Sequence, residues 1–207
     1  MICVVDYGAG NLHSVHKALQ HLGADAVVSS DADDIERAQK VVFPGVGAFG
    51  RAVSSINRLG LADVLRDVID RGRPFLGICL GLQLLFESSE EKPGARGLAA
   101  LDGQVRRFSE KLKVPHLGWN IVRPTAASPL WRGIPDDGYY YFAHSYYIAP
   151  QRPEIVVGES EYPAAFPAAI QRGSLFGLQF HPEKSQKLGL AVLRNFIELK
   201  NENYSRD

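Results

Sequence analysis

The stretch from Pro74 to Phe86 constrains the fold of this chain more than any other part of the sequence. It begins as a short apolar run that reaches Cys79, and apolar residues at helical spacing then continue to Phe86. Gly77 and Gly81 flank the cysteine symmetrically, in the pattern Gly-x-Cys-x-Gly. This pattern predicts a strand, a tight turn and a helix, which is a nucleophile elbow with sulfur in place of the hydroxyl oxygen. The thiol would then lie at a helix N-terminus, where free amides favour the thiolate.

A buried structural cysteine is the alternative interpretation, because free cysteine is among the most buried residue types. The apolar run alone favours a structural cysteine, whereas the paired glycines favour a nucleophile to a similar degree. Residues further along the chain must decide between the two interpretations. Cys3 lies in the apolar run Ile2–Val5 and is interpreted as structural. Two cysteines cannot form a disulfide framework, and a reducing cytoplasm is the simplest setting for them.

Length and charge narrow the classes of function. The chain has 207 residues, which is enough for one domain with a large core, and we expect a single domain over residues 1–207. Its formal net charge is zero, with 23 basic and 23 acidic residues, so no electrostatic footprint for nucleic acid or an anionic membrane is present. The N-terminal segment lacks a basic region before its apolar run, and we expect neither a signal peptide nor a membrane span.

Strands alternate with helices over the first part of the chain, which predicts an α/β fold with a doubly wound, mostly parallel central sheet and helices on both faces. The glycine-rich loop Pro44–Gly50 and Cys79 both follow predicted strands. Ligands of such sheets bind at the carboxyl ends of the strands, so we expect the two to lie together. After Gly97 the pattern changes to short strands and prolines, which we interpret as an antiparallel extension of the same sheet.

Two weaker patterns lie near the N-terminus. Gly8-x-Gly10 follows the first strand, but His13 stands where a dinucleotide-binding loop needs its third glycine. His13 and His16 are one helical turn apart, but no third ligand is nearby, so a metal site is not expected. Asn11 or Ser14 is a candidate N-cap for the first helix.

The second strong feature is His181-x-Glu183 at the end of the apolar run Leu175–Phe180. A histidine near a thiol can take its proton, and a carboxylate on the other ring nitrogen fixes the tautomer. A deaminase zinc site also uses His-x-Glu, but it needs a Pro-Cys-x-x-Cys segment that this chain lacks. The final helix follows, with Ser185 as its candidate N-cap.

The order of these motifs resembles the class I (triad) glutamine amidotransferases over the whole chain. Gly77 to Gln83 is similar to the family's nucleophile motif, and Gln179 to Ser185 to its histidine–glutamate motif. Four further stretches are similar to the glutaminase subunits of imidazole glycerol phosphate synthases: Asp6–Leu12, Pro44–Phe49, His116–Asn120 and Tyr141–Tyr146. Leu117 departs from the methionine of that family pattern, and the change conserves volume.

The resemblance implies that Cys79 attacks the side-chain amide of L-glutamine, that His181 transfers the proton and that Glu183 orients His181. It implies an oxyanion hole and a glutamine pocket, formed respectively by Leu80, Gly45 and Val46, and by Gly47, Gln83, Ser145 and Tyr146. It implies no metal or other cofactor. The ammonia would pass to a (β/α)₈-barrel cyclase partner in a heterodimer, and the candidate contacts with that partner are Trp119, Asn120 and Lys184.

Two other functions stay open at this point. A glutaminase subunit could serve another acceptor, such as pyridoxal phosphate synthase, although the stretch His116–Asn120 argues against it. The chain could also be a non-catalytic interaction protein on the same fold, since a fold does not determine a function.

Overall fold

The computed structural model describes residues 1–109 and 111–200. Strands and helices alternate first: β1 (Ile2–Val5), α1 (Leu12–His21), β2 (Ala26–Ser29), α2 (Ala32–Arg37), β3 (Lys40–Gly45), α3 (Phe49–Arg58), α4 (Leu61–Asp70), β4 (Phe75–Cys79) and α5 (Leu80–Gln83). Strands then predominate: β5 (Phe86–Ser89), β6 (Leu101–Arg107), β7 (His116–Pro124), β8 (Gly138–His144), β9 (Tyr146–Pro150), β10 (Val156–Glu161), β11 (Ala165–Arg172), β12 (Leu175–Leu178) and finally α6 (Gln186–Ile197).

The main sheet has nine strands in the order β2-β1-β3-β4-β12-β11-β10-β7-β8. The strands from β2 to β12 pair in parallel, and those from β12 to β8 pair antiparallel. The prediction of a parallel sheet with an antiparallel extension is therefore confirmed. A separate three-stranded sheet, β5-β6-β9, was not expected.

Two hydrophobic cores lie on the two faces of the parallel strands. Alternate residues of one strand point to opposite faces, so Cys3 and Val5 join one core while Ile2 and Val4 join the other. The first core packs against α2, α3 and α4, and the second against α1 and α6. The helices thus cover both faces, as predicted. Within the described ranges, every helix is too short or too polar to cross a lipid bilayer.

The predicted helix after Cys79 is shorter than expected. It ends at Gln83, and Phe86 begins strand β5, which pairs in parallel with β6. Helical spacing cannot distinguish a short buried helix from a short buried strand, and here the pairing with a distant strand decides. The loop after β3 is also shorter than predicted, because Pro44 and Gly45 belong to the strand.

Neither predicted helix cap operates as a cap. Asn11 precedes α1 in a left-handed conformation with φ of 77°, and its side chain makes no capping hydrogen bond; Ser14 lies inside the helix. Ser185 precedes α6, but its hydroxyl donates to the carbonyl of His181 and accepts from the amide of Tyr141. The side chains of Asn11 and Ser185 instead form hydrogen bonds with the segment from His181 to Glu183.

The elbow is packed too closely to accept a larger residue at Gly81, because a Cβ atom there would collide with the backbone carbonyl of Phe43. We expect Gly81→Ala to lower the free energy of unfolding by about 3 kcal/mol, the upper end for overpacking, since backbone cannot move aside cheaply. Urea unfolding measures this. The matched control is Gly50→Ala, where the nearest atoms belong to the flexible side chain of Lys92 and the change should stay within about 1 kcal/mol. Equal stability of the two variants would contradict the packing argument.

Candidate active site

The backbone of the elbow is held in a strained turn. Cys79 has φ of 53° and ψ of −108°, an unusual conformation for a residue with a side chain. A Cβ atom at Gly77 would approach the backbone of Leu82 to 2.9 Å, and one at Gly81 would collide with Phe43. The two glycines that flank the cysteine are therefore steric requirements of the turn, as the sequence pattern predicted.

The thiol of Cys79 lies at the carboxyl end of β4, between the neighbouring strands β3 and β12. The residue is only 5% exposed, and the side-chain amide of Gln179 donates to Sγ at 3.7 Å. The helix α5, which begins at Leu80 directly after the thiol, has only four residues. The other cysteine, Cys3, is fully buried in β1, and burial raises the pKa of its thiol to about 12.

His181 and Glu183 approach the same edge from the neighbouring strand. β12 pairs in parallel with β4, with Leu178 opposite Ile78, so the chain that leaves β12 reaches the level of Cys79. His181 Nδ1 lies 2.8 Å from Glu183 Oε1, and both side chains are fully buried. The other ring nitrogen, Nε2, has no partner in full hydrogen-bonding geometry, so its contact with Cys79 is looser than the contact with Glu183.

The charge environment favours the imidazolium form of His181. Burial alone lowers the pKa of the ring, but electrostatic attraction to Cys79 and hydrogen bonding to Cys79 and Glu183 oppose it. These attractive effects prevail, and the pKa of His181 is raised well above its usual range. The arrangement can accept a proton from the thiol and keep it on the ring.

Asn11 is a residue of the site that the sequence analysis missed. Its side-chain amide donates to Glu183 Oε1 at 2.7 Å and lies 3.4 Å from His181 Nδ1. The left-handed backbone at Asn11 directs the side chain away from α1 and towards this pair. Asn11 therefore helps to fix the carboxylate that fixes the imidazole.

The backbone of β3 lies directly beside the nucleophile. Gly45 is the register partner of Cys79, and Val46 follows it at the end of the strand. A Cβ atom at Gly45 would collide with the buried hydroxyl of Tyr7, so only glycine fits at this position of β3. The amide of Leu80 begins α5 and has no acceptor within the helix. The predicted oxyanion residues thus surround Cys79.

A cleft of about 170 Å³ opens next to Cys79. All four residues predicted for the glutamine pocket line it: Gly47, Gln83, Ser145 and Tyr146. Glu91 also lines it, and its Oε2 accepts from the amide of Phe49 at 2.7 Å. The sequence analysis missed Glu91, because strand β5, which brings Glu90 and Glu91 to the cleft, was not predicted.

The three predicted partner contacts do not share one surface. On one face of the hairpin β7–β8, the residues Leu117, Trp119 and Tyr139 are 65%, 46% and 56% exposed. Lys184 joins this face, with Nζ 5.8 Å from the ring centre of Tyr141. We call these five residues the hairpin face.

Asn120 lies on the opposite face of β7, because neighbouring residues of a strand alternate. Its amide contacts His116 Nε2 at 3.2 Å and donates to the carbonyl of Glu161 at 2.8 Å. A direct contact of this side chain with a partner stays a prediction.

His13 and His16 do not form a metal site with any other residue in the part of the chain that the structure describes. His16 Nε2 instead lies 2.8 Å from the carbonyl oxygen of Ala26.

Two further buried histidines, His116 and His144, are register partners at the end of the hairpin, and His144 lines the cleft. Burial lowers the pKa of His116 to about 4. Burial also lowers the pKa of His144 to about 3, although a hydrogen bond to the carbonyl of Tyr146 opposes this. Both rings are therefore neutral near pH 7.

The buried state of His144 predicts a pH dependence of stability. In the unfolded chain a histidine takes up a proton below about pH 6.5, whereas folded His144 stays neutral down to about pH 3. Between these values the unfolded state binds the extra proton, so this group lowers the free energy of unfolding by about 1.4 kcal/mol for each pH unit of acidification.

From pH 6.5 to 5, urea unfolding should thus show about 2 kcal/mol more loss for the unmodified chain than for His144→Phe. His21→Gln, which removes an exposed histidine of α1, is the matched control and should behave like the unmodified chain. Parallel losses in all three proteins would contradict the neutral, buried state of His144.

Comparisons with known proteins identify the family of this chain. Residues 3–199 match the family model "Glutamine amidotransferase class-I". The imidazole glycerol phosphate synthase subunit HisH of Moorella thermoacetica is 52% identical over 198 residues, which are 96% of this chain and 94% of that protein. The subunit of the same name from Pseudomonas putida is 52% identical over 204 residues, 95% of this chain and 96% of that protein.

Solved structures share the fold at low sequence identity. A crystal structure of a glutamine amidotransferase superposes with a TM-score of 0.76 at 19% identity, covering 96% of this chain and 98% of that one. The structure of PurLQS from Thermotoga maritima gives a TM-score of 0.74 at 20% identity, with coverage of 95% and 96%. With its fold, its matched family and its close relatives in agreement, this chain belongs to the class I glutamine amidotransferases.

Proposed function

We propose that this chain is the glutaminase subunit of an imidazole glycerol phosphate synthase and supplies ammonia to a cyclase subunit. The observation that carries the proposal is the meeting of Cys79 with the His181–Glu183 pair beside the backbone of Gly45. The named relatives are about half identical to this chain over nearly its whole length, and they support the choice of a cyclase subunit as the acceptor of the ammonia. The proposed heterodimer belongs to histidine biosynthesis.

Cys79 is the proposed nucleophile. Its proton passes to His181, and the thiolate sulfur forms a bond to the side-chain amide carbon of glutamine. The carbon–nitrogen bond then breaks, and the proton on His181 goes to the departing ammonia. Water hydrolyses the resulting thioester, which releases glutamate and restores the thiol. Glu183, held by Asn11, keeps the ring oriented and stabilises its positive charge.

The negative charge on the tetrahedral intermediate needs donors that are already in place. The amide of Leu80 and the amides of the Gly45–Val46 region are the proposed donors, because this backbone lies next to Cys79. Replacing Gly45 is not a clean way to test them, since any side chain there would meet Tyr7.

Substrate binding is assigned to the cleft beside Cys79. Glutamine carries an ammonium and a carboxylate on its α-carbon, and the carboxylate of Glu91 suits the ammonium. Gly47, Gln83, Ser145 and Tyr146 would form the remaining walls. These walls would hold the side-chain amide of glutamine next to the sulfur of Cys79.

The hairpin face is the proposed docking surface for the cyclase. Large apolar side chains rarely cluster in the open on a monomer, and such clusters mark interaction sites. Tyr141 belongs to the same face, and its backbone carbonyl accepts from the amide of His181 at 2.9 Å. A partner bound here would thus lie within a few residues of the site that releases ammonia.

Glutamate release from glutamine tests the proposal, measured alone and with a candidate cyclase subunit plus its phosphoribulosyl substrate. We expect low activity alone, a large rise in the loaded complex, and a loss of about a thousandfold or more in Cys79→Ser. High activity without a partner would contradict the dependence on a cyclase but keep the triad. No activity in any state would favour a non-catalytic interaction protein.

Binding to the cyclase tests the docking surface. Trp119→Ala should weaken the complex at least tenfold, because a buried aromatic anchor commonly contributes more than about 1.4 kcal/mol. Calorimetric titration measures the dissociation constant. The matched control is Val28→Ala, which truncates another exposed apolar residue on β2, at the opposite edge of the sheet. Equal affinity of the two variants would remove the hairpin face from the interface.

A further inference from the structure

We propose that His116 and His144 are positioning residues for the cleft beside Cys79. They act through one chain of hydrogen bonds, which begins at the side-chain amide of Asn120 and ends at the backbone carbonyl of Tyr146. The proposal rests on the glutaminase function proposed above, because it assigns these residues to the binding of glutamine.

The first part of this chain of hydrogen bonds consists of three contacts. Asn120 Nδ2 lies 3.2 Å from His116 Nε2. His116 Nδ1 lies 3.2 Å from His144 Nε2. His144 Nδ1 lies 2.7 Å from the carbonyl oxygen of Tyr146. Each ring thus has a polar partner on both nitrogens.

The end groups determine which nitrogen of each ring carries hydrogen. The Tyr146 carbonyl can only accept, so His144 must donate from Nδ1, which leaves Nε2 as an acceptor when the ring is neutral. His116 must then donate from its own Nδ1, and its Nε2 accepts from Asn120. The orientation of the Asn120 amide is fixed as well, because Oδ1 accepts from the amide of Ile121 at 2.8 Å and Nδ2 donates to Glu161.

An extra proton on either ring would break this order. A second N–H on His116 would face the amide hydrogens of Asn120, and one on His144 would face the N–H of His116. The lowered pKa values of both rings agree with this requirement. Two neutral rings in the same tautomer form a directed chain in which every hydrogen has one acceptor.

The second part of this chain of hydrogen bonds connects the carbonyl of Tyr146 to the nucleophile Cys79 through Gln83 and Gln179. Gln83 Nε2 donates to the carbonyl of Tyr146 at 3.0 Å and to Gln179 Oε1 at 3.2 Å. Gln179 in turn donates to Cys79 Sγ. The Tyr146 carbonyl therefore accepts from both His144 and Gln83, and these contacts hold two walls of the cleft at a fixed separation.

Aromatic rings enclose both imidazoles, so variants can remove the polar links while conserving the packing. His116 stacks between Phe142 and Tyr162 at centroid distances of 4.9 and 4.2 Å. Phe166 lies 5.4 Å from the centroid of His144. A phenylalanine in place of a histidine is compatible with such surroundings.

The first test is nuclear magnetic resonance of ¹⁵N-histidine-labelled protein at pH 7.5, without any substitution in the measured chain. Long-range proton–nitrogen correlations distinguish the two tautomers, and the spectra of His116→Phe and His144→Phe assign the signals. We expect both rings to be neutral with hydrogen on Nδ1. An Nε2–H tautomer or an imidazolium at either position would overturn the proposal, whatever the catalytic activity.

The second test compares KM and kcat for glutamine in the cyclase complex loaded with its phosphoribulosyl substrate. His144→Phe should raise KM about tenfold, the effect of one lost hydrogen bond, and leave kcat within about threefold. His144→Asn keeps a donor near the position of Nδ1 and should recover most of that loss. The control Phe166→Leu loosens the same cluster without removing a polar atom, so it should lower Tm and leave KM within about twofold.

The outcomes separate the proposals. A fall in kcat at constant KM, an equal rise of KM in Phe166→Leu, or no recovery in His144→Asn would each overturn the positioning role. If the unmodified complex released no glutamate, the proposed glutaminase function would fail, while the tautomers would still decide whether the chain of hydrogen bonds exists.

Discussion

Close packing of a sharp turn on the central sheet is the constraint on which the rest of the site depends. Gly77 of β4 lies opposite Gly177 of β12, and Leu82 of the short helix packs over both. The helix can lie this low only because neither strand carries a side chain there. The same approach places Gly81 on the carbonyl of Phe43 and leaves Cys79 with a positive φ. The sulfur therefore reaches the edge where β3 and β12 deliver their own groups.

Three buried histidines show how neighbours, more than burial, decide the chemistry of a ring. His116, His144 and His181 are all almost completely buried. Interactions with Cys79 and Glu183 outweigh burial at His181 and favour its imidazolium form, whereas His116 and His144 meet uncharged amides, a carbonyl and each other. The first ring is thus suited to carry a proton, and the other two are suited to hold a fixed geometry.

Much of the fold and the centre of the site could be predicted from sequence because their signals are local. The glycines around Cys79 and the spacing of His181 and Glu183 are short patterns with a direct steric or chemical cause. The role of Asn11 could not be predicted in this way, because its partner Glu183 lies 172 residues away and its own neighbours suggested a helix cap. The small sheet was missed for a similar reason, since pairing with β6 overrides the helical spacing before Phe86. Asn120 and Trp119 are adjacent in sequence, but strand geometry sends them to opposite faces.

The position of the hairpin face has a consequence for the isolated chain. β8 is the last strand of the nine-stranded sheet, and its outer edge is partly covered, because the amide of Tyr141 donates to Ser185 and its carbonyl accepts from the amide of His181. The exposed side chains of Leu117, Trp119 and Tyr139 lie on the face beside that edge. Apolar side chains that are exposed together on one face are an aggregation hazard when no partner covers them. A cell that made this chain in excess of its partner would carry that hazard, and balanced production of the two subunits would remove it.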